Sequence, residues 1–442
     1  MMKELVTLTK VQNLLDNYLI KKLPQLEQQL LSGNLLEFER TLKNSTDQLY
    51  NGISDLLLKS CSKALIKKLK QEGKASNLKR LRERKLSVQI GTGYVIKVDS
   101  VYAHDVPEDY KQSRHLLANY WKILSNSSLN HIDKVCMGSV LSPSYMIANQ
   151  LLTKMGVKQG VSRVRKLTND IAFYCKEIEA ELSLKSKENL IGKRVIIGID
   201  GGRTRTRIYR GDVNKKGNKT YDTKWREPKL FVIHTLDENG QLDRNQKPIY
   251  GCRFEEEAIL ELLKSYLKRL KIEGCHQVQI LADGAPWIWN NIQPILIQLG
   301  VKERKIVETL DYYHAIGYVN SLVEGLPKKY RTKKREELSK QFTEWLWTGK
   351  SDKIVSKCNE LYRKPDQLTR RWINYLDKHQ SKTQYADYQN NKLMCGSGII
   401  ESGIRRIVNL RFKSPGIFWY EENVENLFFF VPLFFLTDGI FL

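Results

Sequence analysis

The chain has 442 residues, with 73 Lys plus Arg against 49 Asp plus Glu and a formal charge of +24. A surplus of that size exceeds what solubility requires and points to a polyanionic partner. The seven cysteines are scattered, odd in number and never spaced C-x-x-C, which excludes a disulfide framework and a zinc finger and suits a reducing cytoplasm.

Residues 1–85 read as a helical, basic region, with Leu14, Leu15, Tyr18 and Leu19 at helical spacing. Its first 23 residues form an amphipathic helix with charges throughout, unlike a signal peptide. Residues 59 to 85 hold eleven basic residues and only two acidic ones, Glu72 and Glu83, a density that suits phosphate neutralisation. A β-hairpin is expected next, because Leu86 to Ile90 and Tyr94 to Val98 flank a Gly-Thr-Gly turn. Residues 142 to 174 have the form of a helix-turn-helix. Pro143 suits a first helical position, Ile147, Leu151 and Leu152 form one stripe, and Val161, Val164, Leu167 and Ile171 form a second after Gly156. The second helix is expected to expose Ser162, Arg163, Arg165 and Lys166 toward phosphates and base edges, so 86–190 is assigned as a hairpin plus DNA-binding region.

From residue 191 strands and helices alternate. Lys193–Asp200, Arg205–Arg210 and Leu230–Leu236 read as strands, with 211–228 as a lysine-rich loop. Glu255–Leu270 reads as a helix, His276–Asp283 as a strand, Asn290–Leu299 as a helix, Lys305–Leu310 as a strand and Tyr312–Val323 as a helix. The fold expected is α/β: a mixed sheet flanked by helices over 191–326, preceded by an all-α DNA-binding region. A helical insertion follows at 327–390. It carries the basic run Lys328 to Arg335, which like 59–85 suits phosphate neutralisation, and the rings Trp345, Trp347, Tyr362, Trp372 and Tyr375, which either stack on bases or form a local core, the second being the simpler reading. Residues 391–426 return to the sheet with a helix bearing Glu401, in phase with Ile404 and Val408 and hence on or beside the buried face.

Three acids stand out in this pattern: Asp200 closing VIIGID, Asp283 closing VQILAD, and Glu401 in GSGIIES. Carboxylates converging from strand ends and a helix can hold two Mg²⁺ or Mn²⁺ ions for phosphoryl transfer. The segments GIDGGRTRTR, ILADGAPWIW, ETLDYYHA and GSGIIESGIRRIVNLRFKSPGIFW, in that order, resemble bacterial insertion-sequence transposases of the DDE type, with a ribonuclease-H-like catalytic domain. The resemblance covers roughly residues 80 to 426. In that family the first Asp follows the first strand, the second follows the fourth, and the Glu lies on a late helix after a helical insertion. It implies Asp200, Asp283 and Glu401 as catalytic and metal-binding residues. It also implies two divalent ions, DNA as substrate in the form of element ends and target, and a dimer as the minimum assembly for joining two ends. The implied chemistry is a nick at the element's end followed by in-line attack of the freed 3′ hydroxyl on target DNA, without a covalent protein intermediate. Arg203, Arg205 and His314 are further candidates for contacting DNA, and Trp287 and Trp289 either stack on a flipped base or pack. GIDGGRTRTR also resembles the first phosphate loop of actin-like sugar kinases, a reading that the positive charge and GSGIIES oppose.

The last segment, 427–442, departs from everything before it. Its apolar run Leu427 to Leu436 is too short to span a bilayer, which takes about 20 residues. Relatives of this type continue here with a polar, arginine-bearing helix, so the resemblance implies an aberrant tail, the product of a frameshift or an adjoining insertion, whose phenylalanines are an aggregation hazard where exposed. A chain damaged in that way would bind DNA but transpose poorly.

Overall fold

The computed structural model describes residues 8–105, 113–176, 179–184, 189–413 and 416–437. They fall into two compact units, one up to Tyr174 and one from Cys175 on, so the division lies upstream of the expected boundary at 190.

The first unit opens with helices α1 (Leu8–Tyr18), α2 (Leu23–Leu31) and the 41-residue α3 (Leu35–Ala75). An antiparallel hairpin follows, β1 (Lys79–Gln89) with β2 (Val95–Asp105), paired from Lys79↔Asp105 to Gln89↔Val95. The region is therefore not all-α, and the strand begins inside the stretch read as helical. Its outer half, KRLRERK, is largely solvated and lacks apolar alternation, so periodicity had nothing to report there. The inner half buries Leu86 and Val88 with Ile96, Val98, Val101 and Ala103 against Leu69 of α3. Helices α4 (Leu116–Tyr120), α5 (Leu129–Leu141), α6 (Tyr145–Lys154) and α7 (Val161–Cys175) complete the unit. The turn between α6 and α7 falls where the helix-turn-helix pattern places it. The start of α6 is set by Ser144, whose Oγ accepts from the Ile147 N–H at 3.2 Å, and Pro143 lies just outside the helix. α6 buries Tyr145, Ala148 and Leu152 and leaves Ile147 and Leu151 exposed, one position out of phase with the expected stripe.

The second unit opens with α8 (Glu179–Ser183) and is built on a five-stranded mixed sheet. Its strands are β3 (Arg194–Gly201), β6 (Lys229–Leu236), β7 (Ile249–Arg253), β8 (Gln277–Ala282) and β9 (Ile306–Leu310). They lie in the order β7-β6-β3-β8-β9, with β3 antiparallel to β6 and parallel to β8, and β8 parallel to β9. α9 (Glu256–Arg269) and α10 (Pro286–Gln298) bury Ile259, Leu263, Ile288 and Ile292 against Val195, Ile197, Val278 and Ile280. Sequence reading missed β7, whose five buried residues IYGCR include glycine and a charge. It also placed the segment 205–210 in this sheet. That segment instead forms β4 (Thr204–Val213), paired with β5 (Lys219–Arg226) inside the supposed loop 211–228 and with β10 (Trp419–Tyr420) in a separate three-stranded sheet.

After α11 (Tyr312–Glu324) the insertion is helical as expected: α12 (Thr332–Trp347), α13 (Ser351–Leu361), α14 (Gln367–Lys378) and α15 (Tyr385–Asn390). Its rings form a local core, with Trp347 against Tyr312 at 5.4 Å and against Tyr385 at 6.2 Å. Arg335, in the basic run assigned to phosphates, is spent on backbone: its guanidinium donates to the carbonyls of Val323 at 2.9 Å and Glu324 at 2.7 Å, satisfying the last turn of α11.

The chain then returns through α16 (Gly398–Gly403), a π-helical turn over Ile404–Asn409, α17 (Leu410–Phe412) and α18 (Glu421–Thr437). α18 corrects the reading of the tail. Leu427, Phe428, Phe429, Phe430, Val431, Leu433 and Leu436 are all buried, and the Phe428 ring packs on Phe254 at 5.1 Å and on Phe412 at 5.3 Å. A helix apolar on every side is a core helix, and this one runs unbroken across the boundary expected at 426. Its first turns are anchored by charge. Arg226 pairs with Glu421 at 3.1 Å, and Arg253, held between Glu179 and Glu425, is itself buried. Among the described residues no helix is long and apolar enough to cross a membrane.

Candidate active site

The register of the parallel strands assembles the site. Ile199 of β3 lies opposite Ala282 of β8, and Ala282 opposite Leu310 of β9. The next residues are Asp200, Asp283 and Asp311, and the Asp311 N–H donates to the Ala282 carbonyl at 2.8 Å. Three acidic residues thus stand in a row at the C-terminal edge of three adjacent strands, whose backbones lie about 4.7–4.9 Å apart.

Their environments differ. Asp200 is half-buried, and desolvation pushes its carboxyl up to about 6. The Gly201 N–H, donating to Oδ1 at 2.7 Å, opposes that rise, while the charge of Asp283 adds to it. Asp283 accepts from the Ala285 N–H at 3.0 Å and opens the turn into α10. Trp289 donates its indole N–H to the Asp283 carbonyl at 2.8 Å, so this ring braces the turn. A side chain at Gly284 would collide with the ring of Tyr375 from α14, so the insertion lies directly on the residue after Asp283.

Asp311 is fully buried and serves structure. It caps α11 by accepting from the Tyr313 and His314 N–H groups, accepts the Ser397 N–H at 2.8 Å, and bonds His314 Nδ1 at 2.5 Å. Burial alone would raise its carboxyl, but the hydrogen bonds from His314 and Ser397 outweigh that and hold it below the usual range. The same bond, against a smaller opposing effect of burial and with help from the charges of Asp200 and Asp283, raises His314 to about 9. His314 is therefore an imidazolium beside the acidic row at neutral pH. Through Ser397, Asp311 also fixes the start of the Glu401 helix, a role that D-x-x-H spacing at a helix start signals only as a cap.

The linkage has a definite sign. The His314 contribution to stability is fully present below pH 6.5 and lost as pH rises through about 9, while the Asp311 contribution is present above pH 3.8 and lost on acidification below it. The difference in urea stability between wild type and His314→Gln is therefore expected to shrink between pH 7 and pH 10; a difference unchanged over that range would contradict the assignment.

Glu401 is exposed, and its carboxylate meets the Ser397 hydroxyl at 3.5 Å. Its helix is seated on the strand that carries Asp200: a Cβ on Gly198 would come within 3.3 Å of Ile400 Cβ and 2.9 Å of Val232. The burial expected with Ile404 and Val408 does not hold, because the wide turn starting at Ile404 breaks the 3.6-residue phase and buries Ile407 and Val408 together. Among the described residues no group of three or more His, Cys, Asp or Glu side chains is close enough to hold a metal ion. The Asp200–Asp283 pair has the right donors for one hard divalent cation that keeps several waters. Glu401 is not drawn in with them.

The remaining candidates divide. Arg163 is a structural clamp, donating to Gln89 at 3.0 Å and, through one nitrogen, to the Ser125 carbonyl at 2.6 Å and Ser127 Oγ at 2.8 Å, and burial lowers its basicity. Arg165 and Lys166 are exposed on α7 as expected. Arg203 and Arg205 lie at the start of β4, over the Trp225 ring at 5.1 and 5.3 Å.

No protein-family model matches the chain, and no curated protein matches it. Among solved structures it is similar to the Drosophila P element transposase strand transfer complex, at 10% identity over 70% of this chain and 80% of that chain, with a TM-score of 0.25. A likeness that distant leaves the functional reading to the residues themselves.

Proposed function

We propose that the chain is a DNA transposase of the DDE type, cleaving the ends of a mobile element and joining them to target DNA. The observation that carries this reading is the placement of Asp200 near the end of the first strand and Asp283 just after the fourth strand of one mixed sheet, on neighbouring parallel strands. That strand count, the helical insertion and a late helix bearing Glu401 support a ribonuclease-H-like catalytic domain. Asp200 and Asp283 would hold a divalent ion, Mg²⁺ or Mn²⁺, and Glu401 a second. Bound ions would supply an activated attacking oxygen and a stabilised leaving oxygen. The chain's own part is to keep these carboxylates rigid: Asp311 locks the start of the Glu401 helix, and Tyr375 and Trp289 brace the turn after Asp283. The positive surplus suits binding of element ends and target, and joining two ends calls for at least a dimer.

The test is a strand-transfer assay on the element's own ends with Mg²⁺ or Mn²⁺. Asp200→Asn, Asp283→Asn and Glu401→Gln should each lower product at least about a hundredfold, the upper range for losing even an outer-sphere partner of a metal site. Wild-type rates in all three would sink the proposal.

A further inference from the structure

The three-stranded sheet carries a face that the carboxylate row does not explain. Its paired positions are Arg205↔Trp225, Arg207↔Thr223 and Tyr209↔Tyr221, and Tyr420 of β10 lies beside Arg207. Arg205 sits over Trp225 and, at 4.9 Å, over Phe418; Arg207 sits over Tyr221 at 4.8 Å and over Tyr420 at 4.3 Å. No carboxylate occupies this face at the paired positions. Asp222, one register step away, projects to the opposite side, where it accepts from Arg210 at 2.7 Å. None of Arg203, Arg205 and Arg207 forms an ion pair among the described residues. The inner end of the opposite side is core, with Thr204, Thr206 and Trp419 buried. Trp225 and Tyr209, by contrast, are 53% and 41% exposed.

We infer that this arginine–aromatic face binds single-stranded DNA, guanidinium groups holding phosphates and the exposed rings stacking on unpaired bases. Alternation of cations and rings is what an unpaired strand needs, because stacking requires bases that have left the duplex, whereas phosphate contacts alone would serve either form. Positive charge with no acid at the paired positions makes this face complementary to a polyanion. Only Gly202 and Arg203 separate β3, with Asp200 near its end, from β4, so the chain leads from the carboxylate row directly into this face. The inference rests on the transposase reading for the origin of the strand, which is DNA opened at a cut end.

The experiment measures fluorescence anisotropy of a labelled oligothymidine of about 20 nucleotides and of a duplex of equal length, with the full chain in EDTA between about 50 and 200 mM salt. Trp225→Ala should weaken single-strand binding about tenfold and leave duplex binding unchanged, while Trp225→Phe retains most of the affinity. Arg205→Gln and Arg207→Gln should each reduce the slope of log affinity against log salt by about 0.7. Thermal melts of the same variants keep a folding defect separate from a binding defect. Unchanged single-strand affinity in a folded Trp225→Ala protein overturns the inference, and so does an equal loss for duplex. Binding in EDTA needs no divalent ion and is read equally well in Asp200→Asn. A wild-type chain that binds single strands through Trp225 yet transfers no strand overturns the transposase reading alone. Strand transfer by a chain whose single-strand affinity ignores Trp225 overturns this inference alone.

Discussion

Asp200→Asn is expected to abolish strand transfer and at the same time to stabilise the metal-free chain. Carrying the Asp200 carboxyl from its ordinary 3.8 to about 6 makes its ionisation in the folded chain cost roughly 3 kcal/mol at neutral pH. The first cause is burial and the second the neighbouring Asp283 charge. Asparagine keeps the shape and carries neither penalty. For a carboxyl raised by folding, the penalty is complete above pH about 6 and absent below about 3.8, so the advantage of the variant should be full at pH 8 and fade toward pH 4. Urea midpoints at the two pH values measure it. A variant less stable than wild type at pH 8 would contradict the account. Millimolar Mg²⁺ should narrow the gap by raising the melting temperature of wild type and not of Asp200→Asn, because only wild type presents both carboxylates to the cation. Stability given up at a site and recovered when charge arrives is a common pattern in catalytic centres.

The second large effect is expected at Arg253. The residue is 8% exposed, and its guanidinium is tied to Glu179 of α8 and, at 3.8 Å, to Glu425 of α18. Burial works against its charge, but Glu179 outweighs burial and holds it protonated. Arg253→Met removes the cation and leaves buried carboxylates unpaired, a loss of about 3–5 kcal/mol. Adding Glu179→Leu should restore much of that loss, since an apolar replacement of the whole pair is often neutral. Chemical denaturation of both single variants and the double variant completes the cycle. If the losses simply add, the two residues are not coupled as described. The phenylalanine-rich helix depends on this cluster for the placement of its first turns, with Glu425 also accepting the Phe254 N–H at 3.2 Å.

That helix shows where the sequence misled. The run LFFFVPLFFL is apolar without period, and such a run has one physical meaning when exposed and another when surrounded. Nothing local in it reveals that Phe254 and Phe412 wait on the other side. The idea of a damaged, merely DNA-binding remnant loses its structural basis with the exposed tail. Asp200 and Asp283 were legible because β-branched runs ending in an acid mark strand ends, and parallel pairing then places such ends together. β7 and β5 were illegible for opposite reasons, the first being buried along its whole length and the second solvated along nearly all of it. Arg163 and Arg335 looked like phosphate ligands because a basic residue in a helix is usually solvated. Both are instead consumed by carbonyl and amide oxygens that only the fold brings near. The phase of Glu401 was lost at one wide turn, which no count based on 3.6 residues anticipates.

The short passage from β3 to β4 ties the two sheets mechanically. Extended backbone advances about 3.3 Å per residue and has almost no slack along its length. A pull on the arginine-bearing strand reaches the peptide of Gly201, the same N–H that holds Asp200 Oδ1, within three residues. Tension on a strand held by β4 would therefore reach β3, which carries the first carboxylate, through only two intervening residues, so a load on one sheet is a load on the other.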